Sequence, residues 1–382
     1  MNIQQHSAVR FFCICLLGVL ALASCDNSLP EEGSDSLVIK LRVPDPLEVT
    51  TKGGALDGIT ITNVWVLQYV DADTDGKPRM MTEFKDSQIG GTLANHTILV
   101  TTSGFVKENS KFYVLANSGD DFFTADEKNN RNVTEEQLAA KTKSIIIGVT
   151  NEPTFLTAKP VSLKKDSIKE DGKAVIVAPL DRAFARVKVE WAKSAGLDAI
   201  GQVKMKKIEV TNLPRNMAVY ARAGGEIGSK YPDVNGTNMQ LTAKSILDYT
   251  NDDNSYWEAG QSQNFYMAEN IRGMGTATSF ADKNKAENGP GGNLEGCTFI
   301  SLSGTFAYKL SSTSYSDPID IQYKIYLGGN LMNDYNIQRG YSYELKVYIS
   351  GANSADVRVT ITNGNVAVFD EVQSITNKVD FL

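Results

Sequence analysis

Apolar residues stand at every second position in many segments of this chain, and this period of two constrains its fold more than any other feature. The clearest segments in the second half are RAFARVKVEW (182–191), IDIQYKIYL (319–327) and YSYELKVYI (341–349). A period of two places alternate side chains on opposite faces of a β-strand. We therefore expect these segments to be antiparallel strands with one buried face and one wet face.

The first half carries the same signal. Further strand candidates are ITITNVWVLQYV (59–70) and KFYVLA (111–116). The segment SLVIKLRV (36–43) precedes them, and its apolar residues on one face are Leu37, Ile39, Leu41 and Val43. Strand signals so frequent along the chain predict an all-β fold.

Two local signals modify this pattern. Thr134 followed by Gln137 fits a capping box, which predicts that a short helix begins there. In VKMKKIEV the apolar phase shifts by one residue, which predicts a β-bulge near Lys206 and Lys207.

A polar stretch, KKDSIKEDGK (164–173), separates the two strand-rich halves. We predict two β-sandwich domains in tandem, transthyretin-like and of the Greek-key kind, at 36–178 and 179–382, with few short helices. Residues 273–296 show no packing pattern, so we expect a long, exposed and mobile loop there.

The N-terminus has the features of an export signal. An apolar run follows Arg10, is too short to span a membrane, and ends in Leu22-Ala23-Ser24-Cys25. This tetrapeptide resembles the lipobox of bacterial lipoproteins, in which the cysteine is acylated. We expect residues 1–24 to be a signal peptide, Cys25 to carry the lipid and 25–35 to be an acidic tether. An ordinary signal with an incidental cysteine is the alternative.

Cysteine and histidine are scarce. The chain has four cysteines and two histidines, and without residues 1–25 only Cys297 and His96 are left. We expect Cys297 to be a small buried residue. A single cysteine excludes a disulfide framework within the chain, and a single histidine excludes most zinc sites and most Ser-His or Cys-His pairs. We predict no enzyme, no catalytic residue and no cofactor besides the lipid, with paired carboxylates acting on a glycan as the remaining alternative.

The net charge of −7, without basic blocks, argues against nucleic acid as a partner. One acidic motif, DADTDG (71–76), places Asp71, Asp73 and Asp75 at alternate positions, as calcium loops do. The twelfth position of an EF-hand pattern would be Thr82, however, and the flanks are strands. Because Asp and Gly also favour tight turns, we predict a solvated hairpin turn rather than a calcium site.

The order of several motifs resembles the fimbrillin family, lipoprotein precursors of pili in anaerobic gut and oral bacteria. The motifs are the lipobox, a first strand, TKG (51–53), PLDRAFARVKV (179–189), FYMAENIRG (265–273), LGGN (327–330) and YNIQRGYSYELKVYISG (335–351). The chain departs from the family pattern at Ala268, where proline is usual, and at Lys52, where arginine is usual.

The resemblance implies a subunit of a cell-surface fimbria that supports adhesion. The precursor would reach the outer membrane as a lipoprotein, and a trypsin-like surface protease would cut it after Lys52 or Arg42. The first strand, with Leu37, Ile39, Leu41 and Val43, would then leave. A C-terminal strand of another fimbrial subunit would fill the groove by β-augmentation.

Donor-strand candidates lie within 355–382. Their apolar residues are Val357, Val359, Ile361, Val366 and Val368. The alternatives are a surface lipoprotein that never polymerises, an anchor or tip subunit that keeps its lipid, and a glycan-binding module that would use Tyr256, Trp257 and Tyr266. For an adhesive subunit, a host or bacterial surface ligand would be a further partner.

Overall fold

The computed structural model describes residues 37–44, 59–71, 73–92, 95–100, 110–144, 153–163, 174–220, 241–352, 354–363 and 366–376. Within these ranges strands dominate and the helices are short. The helices are α1 (Ala125–Asn130), α2 (Glu135–Ala140), α3 (Leu197–Ile200) and α4 (Phe280–Lys283), with 3₁₀ turns at Asp86–Gln88 and Ala286–Asn288. The predicted capping box is confirmed, because Thr134 and Gln137 exchange hydrogen bonds at the start of α2. No helix in these ranges is long and apolar enough to cross a membrane.

The strands of the first half form mainly one large sheet. They are β1 (Leu37–Arg42), β2 (Asn63–Val70), β3 (Met80–Lys85), β4 (Ile89–Thr92), β5 (Asn95–Val100), β6 (Ser110–Ala116), β7 (Thr142–Ser144), β8 (Leu156–Ala158), β9 (Val161–Leu163) and β10 (Ala174–Arg182). The order across this sheet is β3-β2-β6-β8-β10-β1-β5-β4, and β9 also pairs with β6.

The strands of the second half form mainly two further sheets. They are β11 (Phe184–Lys193), β12 (Gly201–Pro214), β13 (Asn216–Ala218), β14 (Leu241–Asp248), β15 (Ser262–Ala268), β16 (Phe299–Tyr308), β17 (Ile319–Tyr326), β18 (Tyr341–Gly351), β19 (Ser354–Asn363) and β20 (Val366–Thr376). One sheet has the order β15-β11-β18-β19-β20 and the other β14-β12-β16-β17. Side chains from both sheets share one apolar cluster, which includes Trp191, Met205, Tyr323 and Val347.

The alternation predicted for β11, β17 and β18 is confirmed by their burial. The bulge near Lys206 and Lys207 is also confirmed, since the β12–β16 register shifts between Met205 and Lys207. The expectation of uniformly antiparallel strands is wrong, because β11 pairs in parallel with β18. After β11 the chain forms the strands of the facing sheet, and β18 then runs in the same direction as β11. A period of two in the sequence does not reveal the relative direction of two strands.

The two halves of the chain meet at a small sheet and a shared cluster. β7 and β13 pair with each other, and β10 runs across the predicted boundary at residue 178. Trp65 and Tyr113 from the first half pack in one apolar cluster with Met217 and Ala268 from the second. The all-β class is confirmed, whereas the arrangement as tandem sandwiches stays a prediction.

The expected exposure of residues 273–296 is found for only part of the segment, and its mobility stays a prediction. This segment contains α4, and Phe280 and Lys283 within it are buried. The Lys283 ammonium donates to the backbone carbonyls of Asn330 and Asp334, at 2.5 and 2.8 Å. Polar contacts of this kind hold the segment against the rest of the chain. The absence of an apolar period therefore did not mean that the segment lacks buried residues.

Candidate functional site

The first strand of the described structure lies inside a sheet rather than at its edge. β1 pairs in parallel with β10 and antiparallel with β5 along all six of its residues. Leu37 faces Ala174 and Val100, and Arg42 faces Pro179 and Asn95 in the two registers. Withdrawal of β1 would therefore leave unpaired backbone groups on two strands.

One face of β1 is fully buried. The apolar residues predicted to share this face, Leu37, Ile39, Leu41 and Val43, are at most 7% exposed and belong to the apolar cluster of the first half. Lys40 and Arg42 are exposed on the other face, although Val38 on that face is buried too. Burial of a side chain of this kind contributes about 1.5 to 3 kcal/mol, so the four apolar residues stabilise the docked strand by about 6 to 12 kcal/mol. The conformational entropy lost when the strand is ordered reduces this value.

The predicted processing residues differ in their position. Arg42 is the last residue of β1 and its side chain is exposed. Lys52 and Cys25 lie outside the described residues. Cleavage after Arg42 would cut the end of a strand that is paired on both sides, so it would require β1 to open.

The donor-strand candidates occupy two different strands. β19 is an interior strand that pairs with β18 and with β20. Val357 and Ile361 on β19 are at most 3% exposed and belong to the apolar cluster of the second half, and Val359 is paired with Leu345 of β18. These three residues are therefore integrated in the sheet of their own chain.

Val366 and Val368 lie on β20, which is the last strand of its sheet within the described residues. Val366 is opposite Asn363, and Val368 coincides with a register shift between β19 and β20. Detaching β20 disrupts one strand pair, whereas detaching β19 disrupts two. β20 has eleven residues and spans about 36 Å, and β1 has six and spans about 20 Å, so β20 is long enough to replace β1.

Sequence reasoning missed a buried ion pair near the place where the two halves meet. Arg339 precedes β18 and Glu269 follows β15, and their side chains are only 7% and 5% exposed. The guanidinium donates to both carboxylate oxygens, at 2.7 and 3.0 Å, and also to the carbonyls of Ala218 and Val219. Glu269 stands in the motif AENIRG and Arg339 in YNIQRG, two of the motifs that carried the family resemblance. The opposite charges of these two residues were the one sequence signal for an ion pair.

Asn270, next to Glu269 in the chain, adds further hydrogen bonds beside the ion pair. Its backbone exchanges hydrogen bonds with Ile337, at 2.8 and 2.9 Å. Its side-chain amide donates to the carbonyl of Gly296 and the hydroxyl of Thr298. The two motifs thus form one polar junction between the end of β15, the start of β18 and the end of β13.

Asp71 and residues 73–76 of the acidic motif lie between the antiparallel strands β2 and β3. Both oxygens of Asp73 accept hydrogen bonds from Arg79, which raises the pKa of that guanidinium, and Asp75 accepts from the backbone N–H of Lys77 at 3.1 Å. Asp71 lies 3.9 Å from the ammonium of Lys111. The predicted turn is confirmed, and within the described residues no group of three metal-ligating side chains is found.

The aromatic residues considered for glycan binding do not form an exposed platform. Trp257 and Tyr266 are 1% and 7% exposed, and Tyr256 is partly buried. The indole N–H of Trp257 donates to the carbonyl of Gln261. Their structural interpretation is therefore confirmed. Cys297 is also buried, as expected.

Comparison with known sequences gives one family match. A sequence profile for a domain of unknown function, DUF4906, matches residues 265–347. The matched segment runs from β15 into β18 and includes both Glu269 and Arg339. Among curated protein sequences, none matches this chain.

Solved structures give a clearer result for the fold. A proposed cell adhesion protein from Parabacteroides distasonis is 13% identical, with 91% of this chain and 99% of that chain covered and a TM-score of 0.51. This chain has the fold of that adhesion protein. It is also similar to the tip fimbrial protein Mfa3 from Porphyromonas gingivalis, at 11% identity, 87% and 100% coverage and a TM-score of 0.49. A fimbrilin from the same organism is 13% identical, with 91% of this chain and 99% of that chain covered and a TM-score of 0.47. The fold expected from the resemblance to fimbrial proteins is thus shared with a cell adhesion protein.

Proposed function

We propose that this chain is a structural subunit of a cell-surface fimbria, exported as a lipoprotein and polymerised by exchange of β-strands after proteolysis. The observation that carries the proposal is the position of β1, an N-terminal strand paired on both sides and buried on its apolar face. A strand in this position leaves a strand-shaped groove when it is removed. The fold shared with an adhesion protein supports a role in fimbriae or adhesion.

The chemistry of the groove favours a peptide strand as its occupant. Loss of β1 exposes the apolar cluster around Ile98 and Ile176 and the backbone edges of β5 and β10. Such a surface attracts another strand, because main-chain hydrogen bonds provide affinity and alternate side-chain sites provide specificity. A second subunit can offer β20, with Val366 and Val368, at the cost of one strand pair in its own sheet.

The partners follow from this proposal. They are other fimbrial subunits, the outer membrane through a lipid on Cys25, and a trypsin-like protease that cuts after Lys52 or Arg42. Lys52 is our first choice, because Arg42 ends a strand that is paired on both sides. None of these steps requires this chain itself to be an enzyme.

The test is N-terminal sequencing and intact mass of protein sheared from the cell surface, beside protein kept with the envelope. We expect the sheared species to begin at Gly53 and to run as ladders that resist SDS. A species that always begins at acylated Cys25 and never forms ladders would reject polymerisation.

A further inference from the structure

His96 lies directly beside the first strand. It is on β5, where its Cα pairs with that of Leu41 on β1 and with that of Gly91 on β4. Directly opposite residues of antiparallel strands share a face of the sheet. His96 is therefore on the same face as Leu41, which is 1% exposed in the apolar cluster beneath β1.

The imidazole has one nitrogen that water and hydrogen-bonding groups do not reach. Nε2 of His96 is buried and has no hydrogen-bond partner among the described residues. A neutral imidazole can leave this nitrogen as an unused acceptor at modest cost. An imidazolium carries an N–H at both nitrogens, and a charged donor buried without an acceptor is much more costly.

The surrounding charges do little to offset that cost. The facing residue on β1 is apolar, the facing residue on β4 is a glycine, and Lys40 and Arg42 are exposed on the other face of β1. Burial lowers the pKa of His96, and the carboxylate of Asp86, in the turn before β4, acts in the opposite direction. The burial effect is the larger of the two, so the closed structure favours the neutral ring.

We propose that protonation of His96 loosens the pairing of β1 with β5, so that mild acid promotes release of the first strand. Opening of this pair lets Nε2 of the charged ring reach water, which the closed sheet prevents. If the proposed strand exchange operates, on which this regulatory role rests, acid would favour vacating the groove and His96 would be its pH sensor.

The test is hydrogen exchange of the β1 amides, followed by mass spectrometry, in the full unprocessed chain and in a His96→Gln variant. We expect β1 in the wild type to exchange faster than in the variant at about pH 5.5, by about threefold, and the ratio to approach a constant baseline at about pH 8. Comparing the two proteins at one pH cancels the intrinsic pH dependence of exchange. The amides of β18 serve as the internal control and should show no such change. A ratio for β1 that is the same at both pH values would overturn the proposal.

A second measurement does not depend on the folding of the His96→Gln variant. In a full chain carrying His6→Gln, His96 is the only histidine, so its NMR titration needs no assignment. We expect a midpoint below the ordinary value of about 6.5, and a midpoint at or above that value would overturn the proposal. Both measurements use the precursor without protease. Failure of strand exchange would leave their results unchanged, and a pH-insensitive β1 would leave polymerisation intact.

Discussion

The guanidinium of Arg339 and the carboxylate of Glu269 form a bidentate ion pair, at 2.7 and 3.0 Å, that is almost closed to solvent. Arg339 also donates to the carbonyls of Ala218, the last residue of β13, and of Val219, which follows it. All four hydrogen bonds join parts of the chain that are distant in sequence.

Removal of Arg339 should therefore be costly. Arg339→Ala leaves a buried carboxylate without its partner, and we expect a loss of about 3 to 5 kcal/mol in the free energy of unfolding, measured with urea. Asp198→Asn breaks the exposed pair of Lys193 and Asp198 and is the control, with an expected loss below about 1 kcal/mol. Equal losses in the two variants would show that the buried pair has no special role.

The two faces of β1 should respond differently to truncation. Ile39→Ala removes buried methyl groups, and we expect a loss of about 2 to 4 kcal/mol together with faster proteolysis after Arg42. Lys40→Ala, on the exposed face of the same strand, should change stability by no more than about 0.5 kcal/mol. Similar effects of both substitutions would contradict the assignment of the buried face.

The bulge in β12 requires a glycine opposite it. A Cβ at Gly304 would overlap the carbonyl oxygen of Lys204 and lie 2.8 Å from Cα of Met205. We expect Gly304→Ala to destabilise the protein by about 2 kcal/mol or more in thermal or urea unfolding. Gly90→Ala on β4 is the matched control, because its nearest contact, at 3.7 Å, is ordinary. A Gly304 variant as stable as this control would mean that the bulge adapts freely.

Alkaline pH should weaken the second half through its buried tyrosines. Burial raises the pKa of Tyr326 to about 12, above the value of about 10 in an unfolded chain. The folded state thus keeps a proton that the unfolded state releases. The contribution of Tyr326 to the free energy of unfolding is therefore full below about pH 10 and is lost as the pH rises toward 12. At about pH 11 we expect the wild type to have lost about 1 kcal/mol more than Tyr326→Phe, relative to neutral pH. Tyr315→Phe, at an exposed position, should follow the wild type, and a Tyr326 variant that also does so would refute this role.

Local patterns predicted much of the fold. The alternation of β1, β11, β17 and β18, the cap at Thr134 and the bulge near Lys206 each depend on neighbouring residues, and the structure confirms them. The parallel pairing of β11 with β18 could not be predicted, because it depends on how the chain crosses between sheets. The buried Lys283 was missed for a related reason, since backbone carbonyls 47 and 51 residues away satisfy it.

The candidate site was predicted in part. The buried face of β1 follows from its period of two, but its central place in the sheet depends on pairing with the distant β10. Sequence alone also gave β19 and β20 equal standing as donors. Only the strand order distinguishes the interior β19 from β20, the last described strand of that sheet.

Exchange of β1 for β20 is tested most simply by polymerisation of the purified precursor after treatment with a trypsin-like protease. Two chains would be compared by SDS gel electrophoresis without heating, the full chain and a chain that ends at residue 363 and so lacks β20. We expect SDS-resistant ladders from the full chain and none from the shortened chain, whose vacated groove should still bind a synthetic peptide of residues 366–376. Ladders that persist without β20, or a full chain that loses its first strand and stays monomeric, would contradict exchange of β1 for β20.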